Sequence, residues 1–338
     1  IKTVTKSNIN LRSDNGEGNG MHPAFSTLFV HPIAHKPLIF FGMVEDSDVP
    51  AYVISPDQSF PEEILKELKK VQGEVWVKKG WNNGFLWALG EHEMYPVIGG
   101  IPIFVLPPEQ TWPPTAVREL QREEWIRKNW EHERFEEKSM VTEFAKRMAE
   151  SEGLILDIAS GPQGGFVPLI LHENPRARIL MNDLGLGLLQ EWKRFLKSRD
   201  IHNVSFALFD ARKMPLKSDL IDIISEIGGF SEIRGSIEAI REVYRVLKPD
   251  GTLFSIDGVI DKADLFKLPK KIRMKWYNLN PHSFEGFLDA YKSVGFKVVS
   301  HNFLAKTDMS PQEGDLPKEA YKYGVKLHAK VYCTEATK

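Results

Sequence analysis

Cysteine is almost missing from this chain: Cys333 is the single one among 338 residues. One thiol excludes an internal disulfide framework and any cysteine-cluster zinc site. It fits a reducing compartment, so a cytoplasmic location is expected. An excess of either charge is missing too, since 44 Lys and Arg stand against 46 Asp and Glu for a net charge of -2. No global pull toward nucleic acid or an anionic membrane follows from that balance. Residues 1–115 hold nine basic and thirteen acidic residues, so the phosphate-binding contribution is absent there as well. No apolar run approaches 18 residues, and no bilayer-spanning helix is expected. Residues 1–20 lack the apolar stretch of a signal peptide and read as a flexible polar tail. His92, between Glu91 and Glu93, has no second histidine at ligand spacing, so no metal is expected.

What is present is ordinary globular usage, 42% hydrophobic and 27% charged, at a length that suggests two domains. Residues 21–110 are rich in short β-branched and aromatic runs, at 25–30, 37–44, 51–54, 74–78, 85–90 and 101–106. Between them, 59–73 reads as a helix that starts at Ser59 and Pro61 and stops at Gly73. This predicts a small N-terminal α+β domain. A Pro-rich linker at 106–115 leads into a charged helical stretch that breaks near Ser139, so 111–150 is linker and helices. From 151 to 338 the pattern alternates. Apolar strands are expected at 154–159, 178–183, 204–210, 222–225 and 252–257, with helices at 166–173, 185–199 and 236–247 between them. That is the pattern of a parallel sheet covered on both faces, an α/β doubly wound fold. A helix at 283–294 and an antiparallel strand pair, 296–304 and 326–335, close the chain.

The residues that point to chemistry stand at the carboxyl ends of these strands. Asp157 ends the first and runs into Ala159-Ser160-Gly161-Pro162-Gln163-Gly164-Gly165. A glycine-rich turn from strand to helix lets backbone approach an anionic or polar ligand, although such turns also serve as plain tight connections. Asp183 ends the second strand, followed by Leu184. An acid there can accept both hydroxyls of a ribose, or can cap the next helix. Asp210-Ala211 ends the third, where an acid can accept from an exocyclic amine or sit in a solvated turn. After the fourth come Ser225, Glu226 and Gly228-Gly229; Glu226 either touches cofactor or acceptor or starts a helix. The helix stripe Ile237, Ile240, Tyr244 and Leu247 ends in the break Lys248-Pro249-Asp250-Gly251.

Taken together and in this order, these residues resemble the class I S-adenosylmethionine-dependent methyltransferases over about 115–338. The resemblance implies a seven-stranded Rossmann-like sheet of order 3-2-1-4-5-7-6, S-adenosylmethionine as cofactor, and methyl transfer to a small-molecule or protein acceptor. It carries the cofactor onto Asp157, Ala159, Ser160, Gly161, Gly164, Asp183, Leu184, Asp210, Ala211 and Ser225. Two positions depart from the family loop: Ala159 and Gln163 stand where glycine is usual. No Asn-Pro-Pro-Tyr motif for amino-group methylation follows the fourth strand; Glu226 and His282 are the candidates for catalysis, although a lone histidine such as His282 is more often a cap or a surface residue. The aromatic segment 80–96 reads as an acceptor-lining surface or as packing of a small β core. A non-catalytic methyltransferase-like scaffold is the alternative. A nicotinamide-dependent oxidoreductase fits less well, because Gly161-Pro162-Gln163-Gly164-Gly165-Phe166 lacks the Gly-x-Gly-x-x-Gly spacing.

Overall fold

The computed structural model describes residues 28–43, 50–53, 83–88, 90–91, 93–105, 119–131, 139–277, 284–310 and 315–338. The expected tail at 1–20, the helix at 59–73, the strand at 74–78, the linker at 106–115, His92 and His282 lie outside these residues.

The larger sheet has seven strands: β6 (Leu154–Asp157), β7 (Arg178–Asn182), β8 (Val204–Ala207), β9 (Ile221–Ile227), β10 (Leu247–Ile260), β11 (Lys297–Asp308) and β12 (His328–Thr337). Their spatial order is β11-β12-β10-β9-β6-β7-β8, the 3-2-1-4-5-7-6 order that the family resemblance implies. The pairs among β6, β7, β8, β9 and β10 are parallel, while β12 runs antiparallel to both β10 and β11. The inner strands are apolar on both sides because both sides are covered. In β6, Leu154 and Leu156 point into one core and Ile155 into the other. One core holds the helices α2 (Met140–Ala149), α3 (Val167–Glu173) and α4 (Leu186–Ser198). The opposite core holds α6 (Ser236–Val246) and α9 (Phe284–Val294). The helical stretch before the sheet is α1 (Glu119–Glu131) followed by α2, and Ser139 caps α2 by accepting from Thr142 N at 3.3 Å.

One stretch folds differently from its sequence reading, and a second, after β10, forms helices where the sequence reading named no element. The segment between β11 and β12, expected to be a polar loop, carries α10 (Asp315–Lys322). After β10 the chain forms α7 (Lys262–Leu265) and α8 (Lys270–Tyr277), and Leu265, Leu268 and Ile272 pack against Leu316, Ala320 and Leu327 in a small third core. Each of these helices is short and carries only one apolar stripe, too weak a period to read from sequence alone.

The N-terminal strands β1 (Ile39–Met43), β2 (Pro50–Val53), β3 (Asn83–Trp87), β4 (Met94–Ile98) and β5 (Ile101–Pro102) form an antiparallel sheet of order β2-β1-β3-β4-β5. β3 and the start of β4 fall in the aromatic segment 80–96, and there Leu86, Ala88 and Tyr95 are buried in a core. That core is not separate: Leu28, Phe29, Leu38, Leu86, Tyr95, Val97 and Phe104 pack in one cluster with Leu156, Leu180, Phe209 and Leu216. Backbone hydrogen bonds also cross from one sheet to the loop after β8. Leu208 N donates to Pro102 O at 2.9 Å, Phe104 N to Leu208 O at 2.8 Å, and Val30 N to Pro215 O at 2.9 Å. On the neighbouring helix, Lys193 Nζ donates to Gly99 O at 2.5 Å. Burial, with Lys197 nearby, lowers the Lys193 ammonium to about 8.

Candidate functional site

The glycine loop after β6 is built around Asp157, which is fully buried. Its Oδ1 accepts from Ser160 Oγ at 2.5 Å, and its Oδ2 from Ser225 Oγ at 2.7 Å and Phe166 N at 3.1 Å. Asp157, Ser160 and Ser225 therefore hold the loop's shape from below. Gly165 has φ +53, and a Cβ there would sit 2.7 Å from Asp157 Oδ2 and closer still to Oδ1. A Cβ on Gly164 (φ +77) would meet Trp192 at 2.5 Å. These two positions are glycine because nothing larger fits.

Gln163, the larger departure from the family loop, is exposed at the tip of the turn and faces neither of these close packings. Ala159, the smaller one, adopts φ 49, a left-handed conformation that costs a side-chain-bearing residue roughly 1–2 kcal/mol.

Asp183, just beyond β7, closes the loop from the side. Its Oδ2 accepts from Gly161 N and its Oδ1 from Gly185 N, both at 2.9 Å. Burial raises this carboxyl, against the backbone N–H groups of Gly185, Gly161 and Leu184, which pull it down. Among the described residues, a Cβ at Gly161 (φ +61) would find only Ala159 O, at 3.8 Å, and one at Gly228 (φ +75) nothing within 4 Å. Open space thus lies above the carboxyl ends of β6 and β9, where a cofactor could approach backbone. Leu184 packs against the core beneath α4, and Ala211 is buried in the opposite core. Asp210 is held by Arg212, whose Nε lies 2.9 Å from Oδ1 and whose Nη2 lies 2.5 Å from Oδ2. The sequence reading offered Asp210 as an acceptor from an exocyclic amine or as part of a solvated turn; in the structure the guanidinium two residues on is its partner.

Glu226 lies near the end of β9 and is fully buried. Oε2 accepts from Gly229 N at 2.6 Å, at the start of α5 (Gly229–Glu232), so the helix-starting reading holds for that oxygen. Gly229 is also the neighbour of the cofactor loop, since a Cβ there would meet Ala159 Cβ at 3.0 Å. Asp257, in β10, was not singled out by sequence. The signal was there: an acid directly after the largely apolar Leu253–Ile256 and before Val259–Ile260, within one strand. Asp257 accepts from Ser231 N and from Ser255 Oγ, each at 2.9 Å. Burial, then the Asp257 charge, pushes Glu226 well above the usual carboxylate range, and burial raises Asp257.

A pH prediction follows. Both carboxyls bind protons more tightly in the folded state, so stability is fullest below the ordinary carboxylate pKa and falls as pH rises toward the folded values. Glu226→Gln removes part of that fall. Its stability relative to wild type should grow between about pH 5 and pH 8 in urea titrations; a constant difference across pH would contradict the assignment.

The N-terminal strands bring together His31, Glu91 and Glu93, with ligand-type atoms all within 4.8 Å. Nδ1 of His31 accepts from Ala34 N at 3.0 Å and Ile33 N at 3.2 Å, which places the imidazole proton on Nε2. Nε2 then faces Glu93 Oε2 and Tyr95 Oη, each at 3.2 Å. A protonated nitrogen offers no lone pair to a metal, so this cluster is a hydrogen-bonded joint.

A parallel doubly wound sheet, a glycine loop after its first strand and an acid after its second define a nucleoside-cofactor domain. Residues 156–255 match the family model described as "Methyltransferase domain". The chain carries a class I S-adenosylmethionine-dependent methyltransferase domain. It is 27% identical over 103 residues to the demethylmenaquinone methyltransferase of Listeria welshimeri, a match covering 30% of this chain and 44% of that protein. It is 28% identical over 133 residues to a ubiquinone/menaquinone biosynthesis C-methyltransferase of Rickettsia akari, covering 37% and 52%. The chain thus spans about half the length of the curated relatives it matches. Among solved structures, it is similar to phosphoethanolamine N-methyltransferase 2 of Haemonchus contortus, with TM-score 0.49, 13% identity, and coverage of 72% of this chain and 63% of that one.

Proposed function

We propose that this chain transfers a methyl group from S-adenosylmethionine to a small-molecule acceptor, and that the acceptor atom is a carbon of a quinol-type ring. The observation that carries the methyl-transfer reading is the loop at 157–165. Its two buried glycines, the Asp157 scaffold beneath them and the Asp183 brace leave exposed backbone facing open space. Asp183 would hold the ribose through the lone pairs that its two loop hydrogen bonds leave free. Gly161 would let the cofactor lie against backbone, and the loop of Asp210 and Ala211 would border the base. The cofactor supplies an activated methyl group that already carries its leaving group, so the chain's main task is alignment. The quinol acceptor is suggested by the curated relatives' names and by Glu226. Methylating a ring carbon releases one proton, and Glu226 has an oxygen beside the cofactor loop to receive it. The N-terminal sheet meets the methyltransferase domain at Leu208 and Pro215, on either side of Asp210–Arg212, which favours a role in covering the crevice on that side.

Calorimetry with S-adenosylmethionine, with NADH as control, tests the cofactor; absence of S-adenosylmethionine binding would sink the whole reading. Transfer of labelled methyl to a demethylmenaquinol bearing a short side chain tests the acceptor, and no label in the ring would overturn the quinol assignment. Asp183→Ala should weaken S-adenosylmethionine binding by roughly 1.5–3 kcal/mol, the value of a hydrogen bond to a charged group. Unchanged affinity in the folded variant would remove Asp183 from the ribose site.

A further inference from the structure

A polar row crosses the sheet where its neighbours are apolar. Glu226 in β9 is the register partner of Ser255 in β10, Ser255 of Thr334 in β12, and Thr334 of His301 in β11. The row that begins at Ile224 runs instead through Leu253, Ala336 and Val298. Directly opposed residues share a face, so the four polar side chains stand in line on one side of the sheet. Glu226, Ser255 and Thr334 are buried, while His301, on the edge strand, is partly exposed.

The row is hydrogen-bonded through. Ser255 Oγ donates to Asp257 Oδ2 at 2.9 Å and lies 3.0 Å from Tyr291 Oη, which reaches down from α9. Tyr291 also bonds Thr334, and Thr334 Oγ1 lies 2.6 Å from Nδ1 of His301. At the inner end, Oε1 of Glu226 is fully buried and, among the described residues, accepts from no N–H or O–H group. Its carboxyl neighbour is Asp257. Two adjoining buried carboxyls are reconciled when one carries a proton and donates it to the other. Both oxygens of Asp257 accept, from Ser231 N and Ser255 Oγ, Oε1 of Glu226 has no such donor among the described residues, and burial with the Asp257 charge raises Glu226 well above the usual range, so the proton belongs on Glu226.

We propose that Glu226, Asp257, Ser255, Tyr291, Thr334 and His301 form a proton path from the acceptor site to the edge of the sheet. This rests on the methyl-transfer reading for its purpose. As the ring carbon bonds to the methyl carbon, the S–CH3 bond breaks and its electron pair stays on sulfur. The ring hydrogen leaves as a proton to Oε2 of Glu226, on the loop side, while Glu226 passes the proton it already holds on Oε1 to Asp257. Hydroxyl groups both accept and donate, so Ser255, Tyr291 and Thr334 can hand a proton on by rotating, and His301 releases it to solvent. Glu232 of α5 is the other acid near the pair; burial and the Asp257 charge raise it, and it does not stand in the row.

The test uses the full chain and needs no acceptor. In infrared spectra at neutral pH the wild type should show a protonated carboxyl band that Glu226→Gln removes. On rapid mixing into D2O, conversion of that band to its deuterated form should be at least about tenfold slower in Thr334→Val than in wild type, a tenfold factor being one decade of barrier. Should Thr334→Val misfold, His301→Ala on the partly exposed edge strand gives the same reading, and added imidazole should restore its exchange rate. No band lost in Glu226→Gln, or exchange as fast in the variants as in wild type, overturns the path. Because exchange is read without an acceptor, failure of methyl transfer to the quinol sinks the proposed reaction separately.

Discussion

Asp157→Ala is expected to lower the stability of the folded chain by roughly 3 kcal/mol or more and to abolish S-adenosylmethionine binding. The carboxylate receives three donors, the hydroxyls of Ser160 and Ser225 and the backbone N–H of Phe166. Alanine leaves all three without an acceptor, and an orphaned buried donor costs about 1–3 kcal/mol. The loop loses its shape at the same time, since Ser160 and Phe166 stand on either side of the glycines that must expose backbone. Gly165→Ala approaches the same site from the other side: it drives a methyl group into the carboxylate and forces alanine into a left-handed conformation. Urea unfolding and calorimetry measure both effects. A loss below about 1 kcal/mol with cofactor affinity intact would mean that Asp157 is a replaceable core residue and the loop is shaped elsewhere.

The strand-end acids were legible because each ends a run of apolar residues; the alternation of runs and helices gave a parallel sheet, and the order of its strands came from the family resemblance. Asp157 was read as touching the cofactor, yet its hydrogen bonds turn it inward. A sequence gives the position of a side chain along a strand but not whether its polar atoms are consumed by a loop nine residues on. Asp257 and Tyr291 were missed for a related reason. Their significance arises only when β9, β10 and β12 lie side by side, and register across a parallel sheet is set by crossovers that no local pattern encodes. The run 25–30 reads as a strand; Phe29 and Val30 make isolated bridges instead, and the antiparallel bridge from Phe29 to Leu216 joins residues 187 positions apart, beyond the reach of periodicity. The contrast between Gln163 and Gly165 could not be drawn from spacing either. One is exposed at the tip and the other is pressed against a carboxylate, and only the turn's geometry separates them.

Phe29→Ala is expected to destabilise both sheets together, by about 3–5 kcal/mol, the usual cost of deleting a buried phenyl ring. Phe29 is fully buried, its ring centroid 5.1 Å from that of Phe104. It sits in the cluster that joins Leu86, Tyr95 and Val97 of the N-terminal strands to Leu156, Leu180 and Phe209 of the methyltransferase sheet. Removing the ring opens a cavity at the seam, and the residues around it belong to both sides. Hydrogen exchange should then show protection falling in step at 94–98 and at 204–208, because Leu208 exchanges backbone hydrogen bonds with Pro102 and Phe104. The loop of Asp210 and Arg212 follows directly, so weaker S-adenosylmethionine binding should accompany the change. If protection is lost at 94–98 while 204–208 and cofactor affinity stay as in wild type, the N-terminal sheet is an independent unit and does not support the crevice. The same seam explains why deleting residues 1–110 is the poorer experiment: it would strip one side of a shared core, exposing Phe209 and Leu216, and loss of activity would then report unfolding instead of the loss of a cap.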